Sequence, residues 1–99
     1  MADALIIELD GYGLEDYERV NGHLGIDMRS GSGDWPQGLL THSAASKDGG
    51  FLIYEVWASK ADQERFMEER LGRALEEGGV ERPSRMEWLA LAAHHNPGG

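Results

Sequence analysis

Residues 39–58 read LLTHSAASKDGGFLIYEVWA, and the Lys47-Asp48-Gly49-Gly50 step in the middle decides how the chain folds. Residues 39–46 and 51–58 are both strand-like runs. Asp-Gly between two such runs is a strong hairpin signal, because a type I′ turn needs positive φ at both central residues. With Asp48 and Gly49 at the tip, Lys47 faces Gly50 and paired residue numbers sum to 97. His42 is then opposite Glu55, Leu40 opposite Trp57 and Ala44 opposite Ile53, all on one face because side chains alternate along a strand. A slip of one residue would move the whole set to the other face.

On the N-terminal side, residues 4–9 (ALIIEL) form a short apolar β-rich run that ends at the turn Asp10-Gly11-Tyr12-Gly13. Leu14, Tyr17, Val20, Asn21 and Leu24 then recur at helical spacing. Glu15 and Asp16 suit the positive end of the helix dipole, and Gly25 suits its C-terminal stop. Residues 26–38 break the pattern with Ser30-Gly31-Ser32-Gly33 and Trp35-Pro36, a loop carrying one large aromatic. Such a tryptophan can cover a cavity, and the simpler alternative is that Trp35 packs against the core.

On the C-terminal side, Ser59-Lys60-Ala61-Asp62 resembles a capping box that opens a second helix. Met67, Leu71, Ala74 and Leu75 give its apolar stripe with Phe66 beside it, Glu69 and Arg73 can pair one turn apart, and Gly78-Gly79 stops it. Residues 85–93 form a last strand, and residues 94–99 are a flexible tail. The order is βαββαβ. It predicts an α+β, ferredoxin-like domain over residues 3–93, with a four-stranded antiparallel sheet and two helices on one face.

Composition narrows the function. The net charge of −9 argues against nucleic acid and anionic lipid, which are held through clustered Lys and Arg. No run approaches the ~20 apolar residues that cross a bilayer, and the start Met-Ala-Asp-Ala lacks the basic region of a signal peptide. A cytoplasmic protein with no membrane partner is expected. The absence of cysteine removes disulfides and thiolate chemistry. His94 and His95 are adjacent and point to opposite sides of a strand end, so no metal site is expected, and neither a P-loop nor a GxGxxG motif is present for a dinucleotide.

A sheet with helices on one side leaves its other face bare. Two such sheets meeting face to face would bury both and leave a pocket in each half, which predicts a homodimer. The hairpin register assigns Leu40, His42, Ala44, Ile53, Glu55 and Trp57 to that open face and turns Leu52, Tyr54 and Val56 toward the helices. A histidine beside a glutamate is held in one tautomer and made more basic, which suits proton abstraction from an acidic carbon or a phenol. His42 and Glu55 are the candidate catalytic pair, and Trp57, Leu40, Ile53 and Trp35 the candidate binding residues for an apolar or aromatic small molecule.

Residues 51–62, FLIYEVWASKAD, followed by Phe66, resemble the third-strand and second-helix region of the antibiotic biosynthesis monooxygenase family. That family belongs to the dimeric α/β-barrel superfamily, and the order of elements supports the resemblance along nearly the whole chain. The resemblance implies cofactor-independent oxygenation of a phenolic or polycyclic substrate, whose carbanion itself reduces dioxygen. The absence of asparagine between Ala4 and Asp10, and of histidine at Phe66 or Met67, argues against the heme-degrading branch. The competing reading is a non-catalytic binder of an apolar metabolite, or a cyclase that only shapes and deprotonates its substrate.

Overall fold

The computed structural model describes residues 2–81 and 83–93. The elements are β1 (Asp3–Asp10), α1 (Leu14–Leu24), β2 (Ile26–Asp27), β3 (Ser32–Gly33), β4 (Leu39–Lys47), β5 (Gly50–Trp57), α2 (Lys60–Phe66), a π-helical turn (Met67–Leu71), α3 (Gly72–Glu77) and β6 (Arg85–Ala90). The main sheet has the order β4-β5-β1-β6 with every neighbour antiparallel. This is the expected ferredoxin-like arrangement. The loop between the first helix and the hairpin carries an unforeseen two-stranded ribbon, β2-β3. The last strand ends at Ala90, short of the expected residue 93. The expected tail, with His94 and His95, lies outside the described residues.

Local signals position the helices. The Asp16 carboxylate accepts the Gly13 N–H at 2.9 Å, and Gly25 closes α1 with a left-handed φ of 76°. Ser59 caps α2, its hydroxyl accepting the Asp62 N–H at 3.2 Å. The helix then widens to a π turn in which the Gly72 N–H reaches Met67 O. An i→i+5 turn adds a residue and keeps Phe66 and Leu71 both turned inward. It also moves Glu69 out of step, and Arg73 pairs with Glu77 instead, Nε to Oε1 3.6 Å.

The hairpin register holds from Thr41–Val56 to Lys47–Gly50, with His42 opposite Glu55 and Ala44 opposite Ile53. Two details differ from expectation. Among the described residues only glycines have positive φ, so Gly49 (φ 74°) adopts it and Asp48 does not, and the turn is not type I′. A bulge at Leu40 puts Leu39, not Leu40, opposite Trp57, and leaves Leu40 half exposed on the strand edge.

The larger correction concerns the faces. Leu5, Ile7 and Leu9 of β1 pair with Glu55, Ile53 and Phe51, and this side of the sheet packs with Tyr17, Val20, Leu24 and Phe66 in the core. His42, Ala44, Ile53, Glu55 and Trp57 therefore point toward the helices, while Leu52, Tyr54 and Val56 lie on the far side. β5 is apolar on both faces, so its alternation does not say which faces in. Phe51 and Trp57 decide it: they are the largest side chains fully withdrawn from solvent, and both pack into the core under the helices.

Candidate active site

His42 sits between two hydrogen-bonding partners contributed by different elements. Its Nδ1 lies 2.8 Å from Glu55 Oε2 across the β4–β5 pair, and its Nε2 lies 2.5 Å from the Tyr17 hydroxyl, which descends from α1. The other carboxylate oxygen, Oε1, accepts the Trp57 Nε1–H at 3.0 Å. The result is a buried chain, Tyr17–His42–Glu55–Trp57, with the His42 and Glu55 side chains only 11% and 9% exposed. Glu55 already accepts one N–H and has a lone pair facing Nδ1, so Nδ1 carries the imidazole proton. Nε2 is left as an acceptor, and Tyr17 donates to it. Burial, and to a lesser extent the charge of Glu55, hold the Tyr17 phenol above its ordinary pKa against the opposing hydrogen bond of Asn21, which keeps it a donor.

The chain borders a partly open apolar cavity of about 70 Å³ between the sheet and the helices. Ile7, Leu9 and Ile53 form its floor, Val20 and Leu24 one side, and Phe66 and Leu71 another. Trp35 and Pro36 line it on the loop side, with the Trp35 ring edge-on to His42 at 5.6 Å between centroids. Arg70 of the π turn holds this loop: its Nη2 donates to Leu24 O at 2.9 Å and Asp34 O at 2.7 Å, and pairs with the Asp34 carboxylate at 3.3 Å. Hydrogen bonds from a charged donor to carbonyls are among the stronger ones, so the tie is specific.

The structure thus gathers His42, Glu55, Ile53 and Trp35 at one cavity, inside the protomer and not on the open sheet face. Trp57 is fully buried behind Glu55 and is a hydrogen-bond donor to it, not part of the cavity wall. Leu40 is remote from the cavity because the bulge turns it outward. Tyr17 escaped the sequence reading, which counted it with the apolar stripe of α1. The available signal was its phenol, since a tyrosine hydroxyl carried into a core requires a partner. Among the described residues no three His, Asp or Glu side chains gather to hold a metal ion, and no helix is long and apolar enough to cross a membrane.

Neither a protein-family model nor a curated protein matches the sequence. Solved structures match it over nearly their whole length. One, provisionally assigned as an antibiotic biosynthesis monooxygenase from Chloroflexus aurantiacus, superposes with a TM-score of 0.66 at 13% identity, covering 97% of this chain and 98% of that one. A protein of unknown function from Nitrosomonas europaea gives 0.68 at 18% identity, covering 99% and 96%. A variant of SnoaB, a cofactor-independent oxygenase from Streptomyces nogalater, gives 0.64 at 9% identity, covering 94% and 95%. The expected likeness to antibiotic biosynthesis monooxygenase-like proteins is borne out as a shared ferredoxin-like fold.

Proposed function

We propose that this chain, with a fold it shares with such oxygenases, is a cofactor-independent monooxygenase for a phenolic or polycyclic aromatic small molecule. The observation that carries this reading is His42, held by Glu55 against an apolar cavity. A base poised in a water-poor pocket removes a proton from an acidic C–H or phenol, and the carbanion or phenolate left behind is electron-rich enough to reduce dioxygen. For a methylene between two aromatic rings the balance closes without a reductant. Two C–H bonds break, one oxygen of O₂ becomes the new carbonyl, the other leaves as water with both hydrogens, and the carbon supplies all four electrons. Glu55 orients the imidazole, and Ile53 and Trp35 line the slot.

The cavity is small for such a substrate. Benzene alone is accommodated in an engineered cavity of roughly 150 Å³, so a ring system needs the cavity to widen. This same observation favours a second reading, a binding protein for a small apolar metabolite. The two separate on oxygen uptake by metal-free, flavin-free protein given anthrone-type substrates. Monooxygenation requires uptake, and a loss of about 10²- to 10⁴-fold in His42→Ala, the usual contribution of a general base. Unchanged turnover in that variant would remove His42 from the mechanism, and no uptake across a substrate panel would leave the binding reading.

In this proposal the working unit is a homodimer joined through the far face of the sheet. Ile6, Leu52 and Tyr54 are only partly covered there, and the neighbouring Leu89 is 41% exposed. A chain without cysteine suits a reducing, cytoplasmic setting.

A further inference from the structure

The geometry points to Tyr17 as the residue that meets the substrate, passing its proton to His42 through the phenol. This inference rests on the proposed deprotonation at this cavity. A base needs a free lone pair, and His42 has none to offer. Its Nδ1 is committed to Glu55, and the lone pair of Nε2 is aimed at the Tyr17 hydroxyl, 2.5 Å away. The Tyr17 and His42 rings are nearly parallel, 14° apart, with centroids at 5.9 Å. The Tyr17 ring is in turn seated on Phe51 at 5.0 Å, which fixes it. Tyr17 and His42 both border the cavity, and the Tyr17 oxygen occupies the one imidazole nitrogen that Glu55 leaves, so a substrate proton reaches Nε2 through that oxygen. That oxygen gives its one hydrogen to Nε2 and keeps lone pairs to accept another.

The step balances. The substrate C–H or O–H bond breaks and its electron pair stays on the substrate. The proton goes to the Tyr17 oxygen as the original Tyr17 hydrogen moves to His42 Nε2. Tyr17 ends as a neutral phenol, and the positive charge rests on the imidazole, facing the Glu55 carboxylate. The order of roles is then Tyr17 in contact with substrate, His42 as the proton store and Glu55 as its counter-charge. This explains how a base closed off on both nitrogens can still be used.

The test separates deprotonation from oxygenation by excluding oxygen. Anthrone in deuterated buffer exchanges its methylene hydrogens when they are removed and returned, and NMR follows the rate above the uncatalysed background. The wild type should accelerate this exchange. Tyr17→Phe, which keeps the ring on Phe51, should lose about 10²- to 10⁴-fold of it. Because that variant removes a buried hydrogen bond, fluorotyrosines at position 17 provide a second arm that retains the hydroxyl. Their exchange rates should change systematically with the acidity of the phenol, a dependence that a purely structural hydroxyl would not produce. Exchange in Tyr17→Phe equal to wild type, rates indifferent to phenol acidity, or no catalysed exchange by the wild type would each overturn the relay. Tyr17-dependent exchange without oxygen uptake in air would uphold the relay and overturn the monooxygenase reading alone.

Discussion

His42 and Glu55 stand directly opposite each other on β4 and β5, Nδ1 to Oε2 2.8 Å, and the pair points into the protomer beneath α1. Glu55 also receives the Trp57 N–H, so its carboxylate serves two buried donors from neighbouring positions of the sheet. Glu55→Gln keeps the shape and turns one acceptor into a donor, leaving Trp57 facing an N–H or, with His42 in its other tautomer, the Tyr17 hydroxyl without its acceptor. A buried polar group left unpaired costs about 1–3 kcal/mol. Urea denaturation should show a loss in that range, and unchanged stability would mean that the carboxylate is not the shared acceptor.

Tyr17 links the site to alkaline stability. Burial raises its phenol above the ordinary value of 10.0, so the folded protein holds that proton more tightly than the unfolded chain does. The resulting stabilisation is complete below the unfolded value and is lost as pH rises past it through the folded value. Circular dichroism between about pH 8 and 12, a window set around the free phenol, should show wild type losing stability over that range. Tyr17→Phe, with no phenol to ionise, should lack this component. Parallel curves for the two proteins would contradict the assignment.

Arg70 ties the Trp35 loop to the π turn through the Leu24 and Asp34 carbonyls. Arg70→Met retains an apolar stem and removes these donors. Hydrogen bonds to a charged group contribute about 1.5–3 kcal/mol, so opening of the loop should become roughly 10- to 100-fold more frequent. Hydrogen exchange at the Asp34 amide, bonded to Gly25 O at 2.9 Å, reads this directly. Exchange no faster than in the wild type would show that the ribbon holds itself.

On the far face of the sheet, Tyr54 lies opposite Ile6 and Ser43, between β1 and β4. If two protomers join there, Tyr54→Glu places a charge in the contact and should shift sedimentation at micromolar concentration from dimer toward monomer. The control Leu14→Glu, at a side chain 53% exposed on α1, should leave it unchanged. A wild type that sediments as a monomer would remove the dimer from the proposal.

The hairpin was legible because its information is local. Asp48-Gly49 set the turn, the turn set the pairing, and His42 fell opposite Glu55 in sequence and structure alike. The Ser59 cap and the Gly25 and Gly79 stops were readable for the same reason, each being chemistry within a few residues of chain. Which face of β5 turns inward was not local. Phe51, Ile53 and Trp57 compete with Leu52, Tyr54 and Val56 on nearly equal hydrophobic terms, and packing under the helices separates them. The Leu40 bulge, the π turn that moves Arg73 to Glu77, and the meeting of Tyr17 with His42 likewise depend on how α1 and α2 settle on the sheet. Short-range chemistry along the chain is thus enough for the order of the main strands and helices and for the His42–Glu55 pair. That the pair is internal, with a tyrosine from α1 over it, follows from packing, which joins residues whose spacing along the chain carries no sign of contact.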